Sequence, residues 1–426
     1  MKKKKIIYQV FTALFVFSAG CLLFGQTVHA EEEPEVTIVR EATGDLEELK
    51  AIRIPDEQIE DYNIASSYEN ASGSSEQNQF LTFGSRYGYE DMVNRSNTSG
   101  RQELYNQMQK ICDDFTLSGV DSTDFTMGNM NYHSAGTAMT SVNGMSDDDV
   151  IETYFTFRND NPQYFWLSNW VVYGPNSIVV LTYADYANGM VRQNAFNNIL
   201  STLSTVYQNQ ILETDTKYQK TLKIHDTLIA DIVYSYDVNI EIAHSIAGAL
   251  AGSKSAVCEG YAKVMQLLLN EYNISNVYVI GDAGGGHAWN MVKMKDENYY
   301  WLDATWDDQP YEEIQHTYFL VGNQNFTDHQ PNSAAGTGTE FLYTLPTASD
   351  NNYVDNPDVL ETMAGDVNKD NVVNLKDLMI VLKHVSGKEL MTQEQCQIAD
   401  VTRDGAVNLK DLMQMLKYVS GKISGL

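Results

Sequence analysis

Three residues whose side chains can do chemistry together follow one another in the second half of the chain: Cys258, His287 and Asp303. A cysteine nucleophile needs an imidazole that takes and returns its proton, and a carboxylate or amide that fixes the imidazole tautomer. Each residue alone has an ordinary explanation, as a small buried side chain, a core histidine or a turn-forming aspartate. Their order and their surroundings together predict a catalytic triad.

The segments around these residues predict the elements that must position them. Residues 255–269 run from a loop into an apolar helix with Cys258 in its first turn. The helix dipole and the free amides at this position favour a thiolate. His287 and Tyr299–Asp303 belong to two strand-like runs separated by a turn. We expect these neighbouring antiparallel strands to place the imidazole beside the carboxylate of Asp303.

The segment from about residue 249 to residue 331 resembles the transglutaminase-like, papain-related superfamily. The resemblance lies in the motifs Cys-x-Gly-Tyr-Ala at Cys258, His-Ala-Trp-Asn at His287 and Asp-x-Thr-Trp-Asp at Asp303. It implies that Cys258 is the nucleophile, His287 the base and acid, and Asp303 the orienting group, with no cofactor for catalysis. The fold that it implies is α+β, with a papain/transglutaminase-like core in which a helix packs on an antiparallel sheet.

A repeated segment near the C-terminus predicts calcium binding. Residues 365–388 recur with many identities as residues 399–422. Oxygen-bearing side chains stand at positions 1, 3, 5, 9 and 12 of each loop, and position 7 offers a backbone carbonyl, which is the spacing of calcium ligands. The predicted ligands are Asp366, Asn368, Asp370, Val372, Asn374 and Asp377 in the first copy and Asp400, Thr402, Asp404, Ala406, Asn408 and Asp411 in the second.

An amphipathic helix that ends at a glycine follows each loop, and residues 364–426 thereby resemble the type I dockerin family. The resemblance implies a small all-α unit with two calcium loop-helix motifs. It also implies binding to a cohesin domain on the scaffolding protein of a cellulosome-type, polysaccharide-degrading complex. An EF-hand calcium sensor is the alternative, although its loop normally ends in Glu.

In the dockerin family, the residues at loop positions 10 and 11 help to select the cohesin. The residues at these positions are Leu375, Lys376, Leu409 and Lys410. The pair is the same in both copies, so we expect either helix to present the same face to a partner.

The N-terminal region has the order of a secretory signal. Lys2–Lys5 precede an apolar run, and small residues stand before the acidic residues that begin at Glu31. Residues 1–30 therefore predict a cleaved signal peptide and an extracellular protein, with an uncleaved anchor as the alternative. Residues 31–78 are acidic and then rich in serine, which predicts a disordered leader.

The rest of the chain divides by composition. Residues 79–330 predict a packed catalytic body whose core runs from about residue 215 to residue 330, and residues 331–363 predict a linker before the dockerin. The net charge of −29 disfavours binding to nucleic acid or to an anionic membrane. Signal removal leaves Cys112, Cys258 and Cys396, too few for a disulfide-stapled scaffold.

Three functions stay open at this point. The first is an enzyme that attacks an amide of an extracellular protein or peptide, forms a thioester on Cys258 and releases it to water. The second is a protein cross-linking transglutaminase, and the third is a non-catalytic binding or structural module of the complex. Gly284–Gly286, directly before His287, predicts an open and adaptable approach to the site, so we favour hydrolysis.

Overall fold

The structure is a computed structural model of the 426-residue chain. It describes residues 34–55, 58–59, 72–139, 144–309, 313–332, 344–355, 364–368, 372–402, 405–423 and 426. The predicted signal peptide, residues 1–30, lies outside the described residues. Within the described ranges, no helix has the length and apolar character needed to cross a membrane.

The N-terminal part of the body is built on a six-stranded sheet. Its strands are β1 (Glu35–Arg40), β2 (Leu49–Arg53), β3 (Thr123–Met127), β4 (Met130–Met139), β5 (Leu167–Tyr173) and β6 (Ser177–Thr182), in the spatial order β1-β2-β5-β6-β4-β3. The helices of this part are α1 (Ser75–Phe80), α2 (Tyr87–Asp91), α3 (Thr98–Ser118), α4 (Asp147–Asp160) and α5 (Gly189–Thr202). Buried aromatic side chains, among them Phe115, Tyr154 and Trp166, belong to the core of this part.

The first two strands contradict part of the predicted disordered leader. Residues 34–55 form β1, a turn and β2, and β2 pairs in parallel with β5. Leu49, Ala51 and Ile52 of β2 are buried. The composition of residues 31–78 as a whole hid these strands, because the strand that completes their hydrogen bonds is more than a hundred residues further along the chain.

The C-terminal part of the body holds the predicted helix on an antiparallel sheet. Its strands are β7 (Val233–Tyr234), β8 (Ser255–Ala256), β9 (Asn276–Asp282), β10 (Gly286–Lys293), β11 (Tyr299–Leu302) and β12 (Gln330–Pro331), of which the last four form an antiparallel sheet in the order β11-β10-β9-β12. Its helices are α6 (Lys217–Asp231), α7 (Ile246–Leu250), α8 (Cys258–Glu271) and α9 (Ala304–Asp307). The residues of α8 are buried from Cys258 to Leu269, which makes α8 the central helix of an α+β fold.

Part of the predicted linker also belongs to the body. Residues 344–355 bond to the body through their backbone: the Ser349 amide donates to the Tyr299 carbonyl at 2.8 Å, and the Tyr353 amide donates to the Leu320 carbonyl at 3.0 Å. The linker prediction is therefore wrong for these residues. Backbone hydrogen bonds and the scattered apolar contacts of Leu345, Ala348 and Tyr353 hold this stretch. Because these three residues follow no helix or strand period, the sequence pattern did not indicate order.

The C-terminal unit repeats its local structure. It contains α10 (Leu375–Val385), α11 (Gln393–Ala399) and α12 (Leu409–Val419), with a buried cluster of its own that includes Val381 and Met415. Asn374 caps α10 with φ −146° and ψ −167°, and Asn408 caps α12 with φ −147° and ψ −168°. The predicted helix after each loop is confirmed.

Candidate active site

Three elements position the predicted triad. Cys258 is the first residue of α8, which follows β8 directly. His287 is the second residue of β10, and Asp303 follows the last residue of β11. Asn290 pairs with Leu302 in the β10–β11 ladder, so the continued register puts Trp289 opposite Asp303. His287 is the next residue on that face of β10, which makes it the diagonal neighbour of Asp303.

The imidazole and the carboxylate are hydrogen bonded. His287 Nε2 lies 2.7 Å from Asp303 Oδ2, and both side chains are buried. The other carboxylate oxygen of Asp303 accepts the backbone amides of Thr305 at 2.8 Å and Trp306 at 3.2 Å. Burial opposes ionisation of Asp303, but the charge and hydrogen bond of His287 and the hydrogen bond of a second histidine outweigh it and lower the pKa of the carboxyl. In the tautomer in which Nε2 of His287 donates its hydrogen bond to Asp303, the lone pair of the ring is on Nδ1, the nitrogen that can accept a proton.

The thiol of Cys258 is covered. It is fully buried, its Sγ donates to the Asp45 carbonyl at 3.6 Å, and the Ala288 amide donates to the sulfur. Burial, and next the charge of Glu259, raise the pKa of the thiol well above its ordinary value, although the Ala288 amide lowers it. The prediction that the helix start favours a thiolate is therefore wrong for this state, because the loss of solvent outweighs the helix dipole.

A second histidine, His329, contacts the same carboxylate, and the sequence analysis gave it no role. Its Nε2 lies 3.0 Å from Asp303 Oδ2, and its Nδ1 lies 2.8 Å from Asp328 Oδ1. The ring is buried and stacks on Phe326 with the centroids 4.1 Å apart. β12 begins at the next residue and pairs with β9, and this pairing brings His329 to the site. The sequence around His329 contains no motif that points to a catalytic role.

Glu259, the residue after Cys258, is the centre of a buried polar network that the sequence did not reveal. Its Oε1 lies 2.9 Å from the Arg40 guanidinium and accepts the Tyr278 hydroxyl at 3.0 Å. Its Oε2 accepts the Glu47 amide at 3.0 Å and lies 2.7 Å from His244 Nδ1. Burial opposes ionisation of Glu259, but the neighbouring cations, Arg40 first, lower the pKa of its carboxyl well below the ordinary value. This network ties the N-terminal strands to α8.

The approach to the site is occupied by the chain itself. The turn between β1 and β2, Thr43–Leu46, lies against Gly285 and Gly286, and the Asp45 amide donates to the Gly286 carbonyl at 3.0 Å. The prediction of an open approach is therefore wrong for this state. The glycines before His287 give room to a backbone segment, and here the segment is internal.

Three groups of described side chains could hold a metal ion, because within each group the ligand atoms lie no more than 4.8 Å from one another. The groups are His225, Asp226 and His316; His287, Asp303 and His329; and Glu47, His244 and Glu259. The last two groups are the hydrogen-bonded sets described above. In the first group, Asp226 Oδ1 lies 2.9 Å from one imidazole and 2.8 Å from the other, so that hydrogen bonds join it as well.

The described residues of the two predicted calcium loops share one set of hydrogen bonds to the last acid of each loop. In the first loop, buried Asp377 accepts the backbone amides of Asn368 at 3.0 Å and Asn374 at 2.9 Å. In the second loop, buried Asp411 accepts two backbone amides at the matching positions and at the same distances.

The side chains and carbonyls of these loops offer oxygen ligands only, which is the set that Ca²⁺ takes. Besides these two acids, eight predicted ligands lie among the described residues: Asp366, Asn368, Val372, Asn374, Asp400, Thr402, Ala406 and Asn408. The position-5 ligands, Asp370 and Asp404, lie outside the described residues.

The predicted partner-binding residues are on the surface. Leu375 is 65% exposed and Leu409 is 64% exposed, and Lys376 and Lys410 beside them are exposed as well. Each leucine begins a stripe of exposed apolar side chains along its helix. The two stripes are Leu375, Met379 and Leu382 on α10 and Leu409, Met413 and Leu416 on α12.

Comparison with protein families gives these two parts their class. A model of the transglutaminase-like superfamily matches residues 205–304, and a model of the dockerin type I domain matches residues 364–420. The chain carries a transglutaminase-like domain followed by a type I dockerin. The transglutaminase-like match contains Cys258, His287 and Asp303 and ends before His329.

The other comparisons add little to this architecture. A solved structure titled "Crystal structure of a TGase" is similar at 13% identity and a TM-score of 0.26, over 45% of this chain and 56% of that chain. The present chain thus spans little more than half the length of that structure. No curated protein matches the sequence.

The dockerin match fixes the setting of the protein in general terms. Type I dockerins are calcium-binding domains that bind a cohesin, so this dockerin indicates a cellulosome-type extracellular complex.

Proposed function

We propose that this protein is a secreted cysteine-dependent amide hydrolase, a peptidase or amidase, that its dockerin anchors to the cohesin-bearing scaffold of a polysaccharide-degrading complex. The observation that carries the catalytic part is the hydrogen bond of 2.7 Å between His287 Nε2 and Asp303 Oδ2, one residue from the Ala288 amide that bonds to Cys258. Its substrate is an amide of an extracellular protein or peptide.

The residues support a two-step reaction. His287 Nδ1 takes the thiol proton while Cys258 Sγ attacks the amide carbon, and the imidazolium then returns the proton to the leaving amine. The Cys258 amide, at the first helical position, has no acceptor within the helix and can donate to the oxyanion. In the second step His287 takes a proton from water, whose oxygen attacks the thioester carbon, and the thiol and a carboxylic acid are released.

The attachment part of the proposal rests on the repeated loops. Two Ca²⁺ ions would be held by the oxygen ligands of the two loops, with buried Asp377 and Asp411 as the last acid of each. The exposed stripes that begin at Leu375 and Leu409 give the cohesin two equivalent apolar faces, and the neighbouring lysines give each face a positive charge.

The catalytic part is tested with a peptide library, in water enriched in heavy oxygen and containing a labelled primary amine. We expect heavy oxygen in new carboxyl termini or in deamidated side chains, and none of it from Cys258→Ala. Dominant incorporation of the amine would instead identify a cross-linking transglutaminase.

One observation favours the non-catalytic alternative: the Cys258 thiol is fully buried and its pKa is raised. In that case neither oxygen nor amine would enter any product, and Cys258→Ala would bind the scaffold and any substrate like the unaltered protein. The covered thiol is compatible with turnover only if the turn over it moves.

A further inference from the structure

The Thr43–Leu46 turn, called the cleft turn below, makes contacts of the kind that a bound peptide makes. The Leu46 amide donates to the Thr43 carbonyl at 3.1 Å, which closes the turn. The Asp45 amide donates to the Gly286 carbonyl, and the Asp45 carbonyl accepts the Cys258 thiol. A backbone carbonyl of the chain therefore lies at the nucleophile, where a reacting amide has to lie.

Gly44, Asp45 and Leu46 of the cleft turn each meet a different surface. Gly44 has φ +55°, and a Cβ there would lie 2.5 Å from the backbone nitrogen of Gly286, so only glycine fits. The Asp45 carboxylate accepts the Tyr234 hydroxyl. Leu46 is buried in an apolar cluster with Cys258 and with the residues Ala262, Tyr278, Ile280 and Ala288.

The cleft turn is anchored at both ends by buried ion pairs, and its first two residues lie nearest the solvent. The Arg40–Glu259 ion pair before it and the Arg158–Glu47 ion pair after it are buried. Between them, Thr43 and Gly44 are exposed and Asp45 is half-buried. For the middle of the turn to leave the cleft, the Asp45 hydrogen bonds and the Leu46 contacts have to break, and the two ion pairs can stay formed.

We propose that the cleft binds peptide turns with three residues in order: a glycine, an aspartate or its amide, and a branched apolar residue. The cleft turn is the internal segment that occupies the cleft until such a substrate replaces it. This inference rests on the proposed function, because it names the substrate class of the same site. Three features of the cleft select this class. The Gly286 backbone leaves no space for a Cβ and selects glycine, the Tyr234 hydroxyl donates to the acid or amide, and the apolar pocket beside the thiol takes the branched side chain.

The test measures alkylation of Cys258 in the full chain by iodoacetamide, with mass spectrometry to locate the label. Gly44→Val adds a side chain where the Gly286 backbone leaves no room, and we expect it to raise the rate at Cys258 by about tenfold or more, since labelling follows the fraction of molecules with the turn open. Gly128→Val is the matched control, because Gly128 has a similar φ of +57° and nothing within 4 Å of an added Cβ. Equal rates at Cys258 in the two variants would overturn the proposal.

The second arm supplies the ligand from outside. Acetyl-Thr-Gly-Asp-Leu-amide should slow the labelling of Gly44→Val again, whereas acetyl-Thr-Val-Asp-Leu-amide should not. Equal protection by both peptides, or by neither, would refute the proposed ligand class. Labelling of Cys112, which is buried in the core, reports unfolding. If Cys112 is labelled in Gly44→Val, Leu46→Ala replaces that variant, because it empties the apolar pocket. Leu46→Ala should then show the faster labelling of Cys258 and the protection by the glycine-containing peptide only.

Labelling and protection need no turnover, so this test separates the two proposals. Selective protection without cleavage of any peptide would support the cleft ligand and end the hydrolase proposal. Cleavage of a peptide without selective protection would support the hydrolase proposal and end the proposed cleft ligand.

Discussion

Arg40→Met gives the most direct measure of how firmly the N-terminal strands belong to the catalytic body. Arg40 and Glu259 form an ion pair of 2.9 Å whose side chains are 2% and 1% exposed. Methionine keeps much of the apolar stem but leaves the Glu259 carboxylate without its nearest cation. Removal of one partner of a buried ion pair costs about 3–5 kcal/mol, because the remaining charge stays desolvated.

The control is Arg53→Met in β2, the same substitution in the same N-terminal segment. Arg53 pairs with Asp147 at 3.1 Å, but the two side chains are 41% and 53% exposed. Pairs of this kind contribute about 0–1 kcal/mol. The two variants should therefore differ by several kcal/mol although each removes one arginine from one ion pair.

The assay is urea unfolding followed by tryptophan fluorescence. The chain has five tryptophans, all between residues 166 and 306, so the signal reports the body and not the dockerin. We expect a clear loss of the free energy of unfolding for Arg40→Met and a small one for Arg53→Met. Equal losses would refute the inference that residues 34–55 are an integral part of the body.

Three further predictions concern pH, metal and partner. The pKa of Asp303 is lower in the folded protein than its ordinary value of 3.8. Its ionised form therefore stabilises the fold above pH 3.8, and this contribution is lost as the pH falls through the pKa of the folded state. Asp303→Asn should flatten the acid side of the curve of stability against pH, and an unchanged curve would count against the ion pair. Chelation of Ca²⁺ should unfold residues 364–426 and abolish cohesin binding while tryptophan fluorescence stays constant, and a metal-independent circular dichroism spectrum would contradict this. Alanines at Leu375–Lys376 alone should change the cohesin affinity by no more than a few-fold, and only the combination with alanines at Leu409–Lys410 should abolish binding, as titration calorimetry can measure; loss of binding from the first change would exclude two equivalent faces.

Local patterns in the sequence were enough for the parts of the protein whose geometry is local. A calcium loop takes its ligands from one short segment and the helix follows at once, so the repeat at Asp366 and Asp400 predicted both loop-helix units. His287 and Asp303 lie at the same end of one antiparallel hairpin, just beyond the last pair of its ladder, so the local hairpin brings them near each other. The type of fold followed from the family resemblance that the same short segments carry.

The tertiary structure decided what reaches the site from a distance. Asp45 and Leu46 come to Cys258 from more than two hundred residues away, and His329 comes to Asp303 from a loop beyond the matched family segment. No period or spacing encodes such contacts, because they depend on which strands pair in the two sheets.

The state of the thiol is the clearest case of this difference. The position of Cys258 at a helix start is written in the sequence and favours a thiolate, but the pKa depends on how much solvent the folded chain leaves at the sulfur. The cleft turn removes that solvent, and burial raises the pKa. The sequence by itself therefore determined which residues can react, whereas the packing of the N-terminal strands decided that the thiol is covered.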